Sequence, residues 1–150
     1  MAGKARQTVL PFQVERTEEP LVSHGGLALV YEVATALGLP QVVDRELPRP
    51  GSGRGYPPSQ YVLPLLVLFH GGGHKLNDLR ELEAEVALRE LLGMPRLPAA
   101  CTVGDWLRRM GQHPGGLAGL ERVNAYLVGE VLRRQEPRAG YTLDVDATII

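Results

Sequence analysis

Residues 59–73 read SQYVLPLLVLFHGGG, and the reading of this stretch decides the fold. From Tyr61 to Phe69 every side chain is apolar, without the alternation of a half-buried strand. A helix that is apolar on every side offers water no face, so it belongs at the centre of a core. Ser59 is placed to cap this helix, Gly71, Gly72 and Gly73 stop it, and Pro64 falls in its first turns, where the missing N–H is best tolerated. The run is far too short to cross a bilayer.

Outward from this centre the chain is punctuated into further helices. Upstream, GLALVYEVATALGL (residues 26–39) places Leu27, Val30, Tyr31, Ala34 and Leu37 near helical spacing, with Ser23 as a cap and Gly38 and Pro40 as the end. Residues 48–58 (PRPGSGRGYPP) read as a loop, and residues 8–14 (TVLPFQV) as an edge strand or irregular extension, because Pro11 interrupts them. Downstream, NDLRELEAEVALRELLGMP (77–95) is one helix or two short ones. Its expected apolar face is Leu79, Leu82, Val86 and Leu91, with Leu88 and Leu92 beside it, and its outer face is acidic. Thr102 and Asp105 have the spacing of a capping box opening the helix TVGDWLRRMG. In the last helix, Leu117, Leu120, Val123, Leu127 and Val131 recur every three to four residues. The fold class is therefore mainly α.

Composition bounds the function. Sixteen Lys and Arg against 17 Asp and Glu give a formal charge of −1, so no global field recruits nucleic acid. The single cysteine, Cys101, excludes a disulfide framework, and His70, His74 and His113 have no zinc spacing with it. A cytoplasmic location is expected, since no run of signal-peptide character opens the chain.

At residues 140–150, GYTLDVDATII, the period changes from helical to two. In a strand, Asp144 and Asp146 project from the same face, roughly 6.6 Å apart along the backbone. Paired carboxylates on a buried strand need a compensating cation or donor, and Mg²⁺ suits their hard oxygens. Read alone, LDVDAT matches the first motif of haloacid-dehalogenase-like phosphatases. That likeness implies Asp144 as nucleophile, Asp146 as general acid/base and Mg²⁺ as phosphate clamp.

The order of the upstream segments resembles a different family. SHGGLALVYEVATALGL (23–39), PPSQYVLPLLVLFHGGGHKLNDLREL (57–82), VALRELLGMPRLPAACTVGDWLRRM (86–110) and YTLDVDATII (141–150) together look like the N-terminal part of DDE-type bacterial insertion-sequence transposases. The resemblance implies a helical N-terminal region over 1–139, serving DNA binding or dimerisation. Residues 140–150 would then begin a ribonuclease-H-like catalytic domain. It makes Asp146, in Asp-x-Thr, the first acid of the Asp-Asp-Glu triad and Asp144 its neighbour. The activity implied is Mg²⁺-dependent cleavage and transfer of DNA strands at transposon ends, with a possible homodimer as the acting form. On this reading the chain is expected to be catalytically incomplete, because the second Asp and the Glu are not in it. A non-catalytic helical interaction module is the third reading.

DNA contact, if made, falls to local patches. The candidates are Arg108 and Arg109 on the helix carrying Trp106, and Arg54 in the glycine-rich loop. Arg96, Arg122, Arg133, Arg134 and Arg138 add to a basic excess in the last third. Trp106 is read as core, in preference to an aromatic platform for bases.

Overall fold

A computed structural model describes residues 18, 19, 21–49, 55–136, 140 and 142. Seven α-helices follow one another: α1 (Leu27–Ala36), α2 (Leu39–Glu46), α3 (Ser59–His70), α4 (Leu79–Ala84), α5 (Val86–Leu91), α6 (Ala100–Gln112) and α7 (Pro114–Arg134). A 3₁₀ turn, Leu76–Asp78, leads into α4. Among the described residues there is no strand. The expected strand at 140–150 and the extension at 8–14 lie outside the described residues, apart from Gly140 and Thr142.

The central helix is α3, as its composition requires. Tyr61, Leu63, Leu65, Val67 and Leu68 are buried, and α1, α2 and α4 pack around it. Its start is capped from another helix, because Pro58 at the N-cap position has no side-chain oxygen to offer. The backbone N–H of Ser59 donates to Asp44 Oδ1 at 2.7 Å, and the Ser59 hydroxyl donates to Oδ2 at 2.9 Å. Asp44 thus satisfies one of the N–H groups that the first turn leaves without an intrahelical acceptor, and its charge suits the positive end of the helix dipole. Ser59 is accordingly buried, although it is polar.

Several local readings change. Gly38 takes a left-handed conformation (φ 75°) after α1, but Pro40 does not end the helical region. It sits in the first turn of α2, where a missing N–H costs nothing, so the chain turns and continues. Gly26, and not Ser23, occupies the N-cap of α1; the Ser23 hydroxyl donates to Glu85. The 77–95 segment is two helices, broken at Glu85 (φ −78°, ψ 72°). The break shifts the helical phase, so Leu79, Leu82, Leu88 and Leu92 are buried while Val86 and Leu91 face solvent. Helix α6 begins at Ala100, and Thr102 lies inside its first turn. The expected capping box is absent, and Asp105 instead pairs with Arg108.

The largest departure is in α7. Its buried face is Gly116, Gly119 and Val123, while Leu117 and Leu120 are 68% and 55% exposed. The reason is distance. A Cβ at Gly119 would lie 2.5 Å from the carbonyl oxygen of Glu46, and one at Gly116 would run into the carbonyl of Met110. Helix α7 lies so close to α2 and to the end of α6 that only glycine fits. The turn into it is tight: His113 Nδ1 accepts from Gly115 N–H at 3.0 Å, and Pro114 takes the first helical position.

No single helix among the described residues is long and apolar enough to cross a membrane. Helices α1 and α2 pass that test only as a pair, bent by 62°.

Two substitutions check this packing. Asp44→Ala removes the acceptor of both Ser59 bonds and should cost about 1–2 kcal/mol in urea unfolding. Asp44→Asn, which keeps one acceptor oxygen, should cost less. Gly119→Ala forces α7 away from Glu46 and should cost about 1–3 kcal/mol. A neutral result for Gly119→Ala would mean that α7 is not held at this distance.

Candidate nucleic-acid interface

Helix α6 presents two faces. Val103 and Trp106 point inward and are buried, with Met110 packed against the core beside them. The Trp106 indole lies flat on the Tyr61 ring, centroids 4.8 Å apart and planes within 2°. Trp106 is therefore core, as its sequence context implied, and is closed to a nucleic-acid base. Its indole Nε1 is buried without a hydrogen-bond partner. The opposite face carries Asp105, Arg108 and Arg109 into solvent.

The two arginines are not equivalent. Arg108 contacts Asp105 Oδ1 through both Nη atoms, at 3.0 and 2.9 Å, one turn earlier on the same helix. This pair is largely exposed, so it contributes little to stability, but it offsets much of the charge Arg108 offers a phosphate. Among the described residues, the Arg109 side chain has no ion pair or hydrogen bond, which leaves its guanidinium available. Arg108 also lines a cleft of about 360 Å³ with Arg80 and Asn77, but Glu83 lies there too. Arg54 lies outside the described residues.

Two other arginines in the last third tie helices together, and a third pairs within α7. Arg122 Nε lies 2.6 Å from Glu46 Oε2, tying α7 to α2. Arg134 Nη2 donates to the carbonyl of Ala36 at 2.6 Å, satisfying an acceptor at the end of α1. Arg133 pairs with Glu130 at 2.7 Å. Of the basic excess read from composition, Arg122, Arg133 and Arg134 are thus engaged, Arg96 is exposed away from α6, and Arg138 lies outside the described residues.

Asp144 and Asp146, the candidate catalytic and metal-binding carboxylates, lie outside the described residues. Among the described residues no group of three or more His, Cys, Asp or Glu side chains comes together to hold a metal ion.

A feature that the sequence reading did not place is an apolar groove of about 410 Å³ between α3, α6 and α7. It is lined by Val62, Leu66 and Phe69 of α3, Leu107 of α6, and Leu117 and Leu120 of α7. The signal was present in Gly116-Leu117 and Gly119-Leu120: alternate use of the small and the large residue on adjacent faces decides which side is open.

Glu46 is the electrostatic junction of this region. Hydrogen bonds from Arg45 and then from Arg122 hold its carboxyl below the usual carboxylate range. A folded-state value below the unfolded one stabilises the fold above the ordinary carboxylate pKa, and this is lost as pH falls through the depressed value. The melting temperature of the wild-type chain should therefore exceed that of Glu46→Gln by a constant margin at neutral pH. That margin should shrink once pH falls below about 4. A margin independent of pH would show that the carboxylate charge contributes nothing.

No family model, curated protein or solved structure matches the chain.

Proposed function

We propose that this chain is the N-terminal portion of a DDE-type insertion-sequence transposase, with a helical layer that contacts DNA through the outer face of α6. The observation that carries the DNA-binding part is Arg109, exposed and, among the described residues, unpaired, beside Arg108 on a helix anchored from behind by Val103 and Trp106. A guanidinium on a rigid element loses little entropy on meeting a phosphate, and contacts of this kind position a protein without reading sequence. The family part of the reading is supported by the order of the four segments that resemble such transposases. The mainly helical architecture of the described residues agrees with a helical N-terminal region.

In this reading Asp146, in Asp-x-Thr, is a carboxylate of the metal site and Asp144 its neighbour. Mg²⁺, when bound, supplies charge to stabilise the attacking and leaving oxygens of a DNA phosphodiester. Strand cleavage and transfer belong to the complete transposase.

The DNA-binding part is tested by fluorescence anisotropy of the 150-residue chain on a mixed-sequence DNA duplex. Affinity should fall steeply with salt, with a logarithmic slope of about −0.9 per phosphate contact. Arg109→Ala should weaken binding several-fold, and Arg108→Ala should do less because Asp105 already holds that guanidinium. Asp105→Ala, which frees Arg108, should tighten binding. Salt-independent binding, or no effect of Arg109→Ala, rejects this face. The family part is tested separately in the coding DNA beyond Ile150. A second Asp and a Glu among strands and helices support it, and a Lys with an acidic pair in a doubly wound pattern supports the phosphatase reading instead.

A further inference from the structure

The outward side of α7 carries a second pattern, distinct from the glycine face that packs on α2. Leu117, Leu120, Val128 and Val131 are all exposed, with exposed Asn124 between them. Counted from Asn124, the apolar residues stand at −7, −4, +4 and +7. These intervals fall in one strip along a helix, and the strip reads the same from either end. Its two halves differ in shape. Leu117 and Leu120 form a wall of the apolar groove beside Leu66, Phe69 and Leu107. Val128 and Val131 stand out to solvent beyond it, 51% and 42% exposed.

We propose that this strip is a homodimer interface, in which α7 of a second copy packs antiparallel with the twofold axis at Asn124. An isologous contact needs a surface complementary to itself under a half-turn, and the spacing about Asn124 has that property. The half-turn pairs Leu117 with Val131, Leu120 with Val128, and Asn124 with its own copy. An amide carries both donor and acceptor, so two facing asparagines satisfy each other, whereas an apolar partner would leave Asn124 unpaired.

The same operation places each copy's Val128–Val131 ridge against the other's groove, twice. Parallel pairing would set groove against groove and leave both open. Charge is compatible as well. Glu121, at the edge of the strip, comes opposite Leu127 and not opposite its own copy. Arg122 and Arg133 are turned away, engaged with Glu46 and Glu130. From Leu117 to Val131 the strip is about 21 Å long. A specific dimer buries at least about 600 Å² per copy, so the strip must be joined by the groove walls to reach it.

This inference is independent of the DNA reading and is tested without DNA. Sedimentation and light scattering of the whole chain should show a mass rising toward two chains across the micromolar range. Val128→Arg, at an exposed position, should weaken association at least tenfold with unchanged helical circular dichroism, and Leu120→Lys should do the same from the other half of the strip. Orientation is read by cross-linking in a Cys101→Ser background. Leu117→Cys mixed with Val131→Cys should form a disulfide-linked pair, and neither alone should. A chain that stays monomeric, or association untouched by both charge substitutions, overturns the interface. Efficient linkage of Leu117→Cys to itself overturns the antiparallel arrangement.

Discussion

The distance between α7 and α2 is the constraint on which the rest depends. Gly119 lies against the carbonyl of Glu46, and Gly116 against the end of α6, with no room for a methyl group at either. Two small residues one turn apart let the backbones approach, and the Arg122–Glu46 pair closes over the contact from outside. Because the glycines take the inner face, the leucines beside them are turned outward. The open groove is thus a consequence of close packing elsewhere on the same helix, not of a loosely built core.

Helix α3 organises the other half of the molecule by similar economy. Its N-terminus is buried between elements, so a solvent-exposed cap is not available, and Pro58 cannot act as one. Asp44, near the end of α2, fills that role and at the same time fixes the angle between the two helices. The Tyr61–Trp106 stack then couples α3 to α6. The indole N–H left without an acceptor there costs about 1–3 kcal/mol, which the area buried by two stacked aromatics can offset.

The sequence was informative wherever one physical cause dominated. An all-apolar run bounded by Ser59 and Gly71–Gly73 has one stable solution, and α3 is found there. Trp106 was legible as core for the same reason. Punctuation was less decisive. Pro40 is as compatible with the first turn of a new helix as with the end of an old one, so α2 was missed. Periodicity locates a face of α7 without saying whether a glycine face beside it packs more closely, so it does not tell that Leu117 and Leu120 turn outward while Leu127 packs against the core. The arginines looked like a patch because composition counts charges without their partners; Glu130 is one turn from Arg133 on the same helix, but Glu46 comes from a position that only the fold brings near Arg122. For the candidate catalytic carboxylates, Asp144 and Asp146, the reading stands on period two and on family likeness alone.

The two surfaces proposed for contacts differ in what they can contribute. One guanidinium without a partner among the described residues, beside a half-neutralised neighbour, would give only a weak phosphate contact that salt readily screens. An apolar strip with one asparagine is insensitive to salt and selects a partner by register. The apolar strip and the arginines stand on different helices, although the groove beside the strip is also lined by Leu107 of α6. A twofold pair through α7 would carry two α6 faces on one rigid body. Two weak phosphate contacts held at a fixed separation act at high effective concentration, provided the span matches positions on one duplex. On that arithmetic, whatever specificity for DNA this region has would come less from the chemistry of Arg108 and Arg109 than from the distance that the dimer sets between their copies.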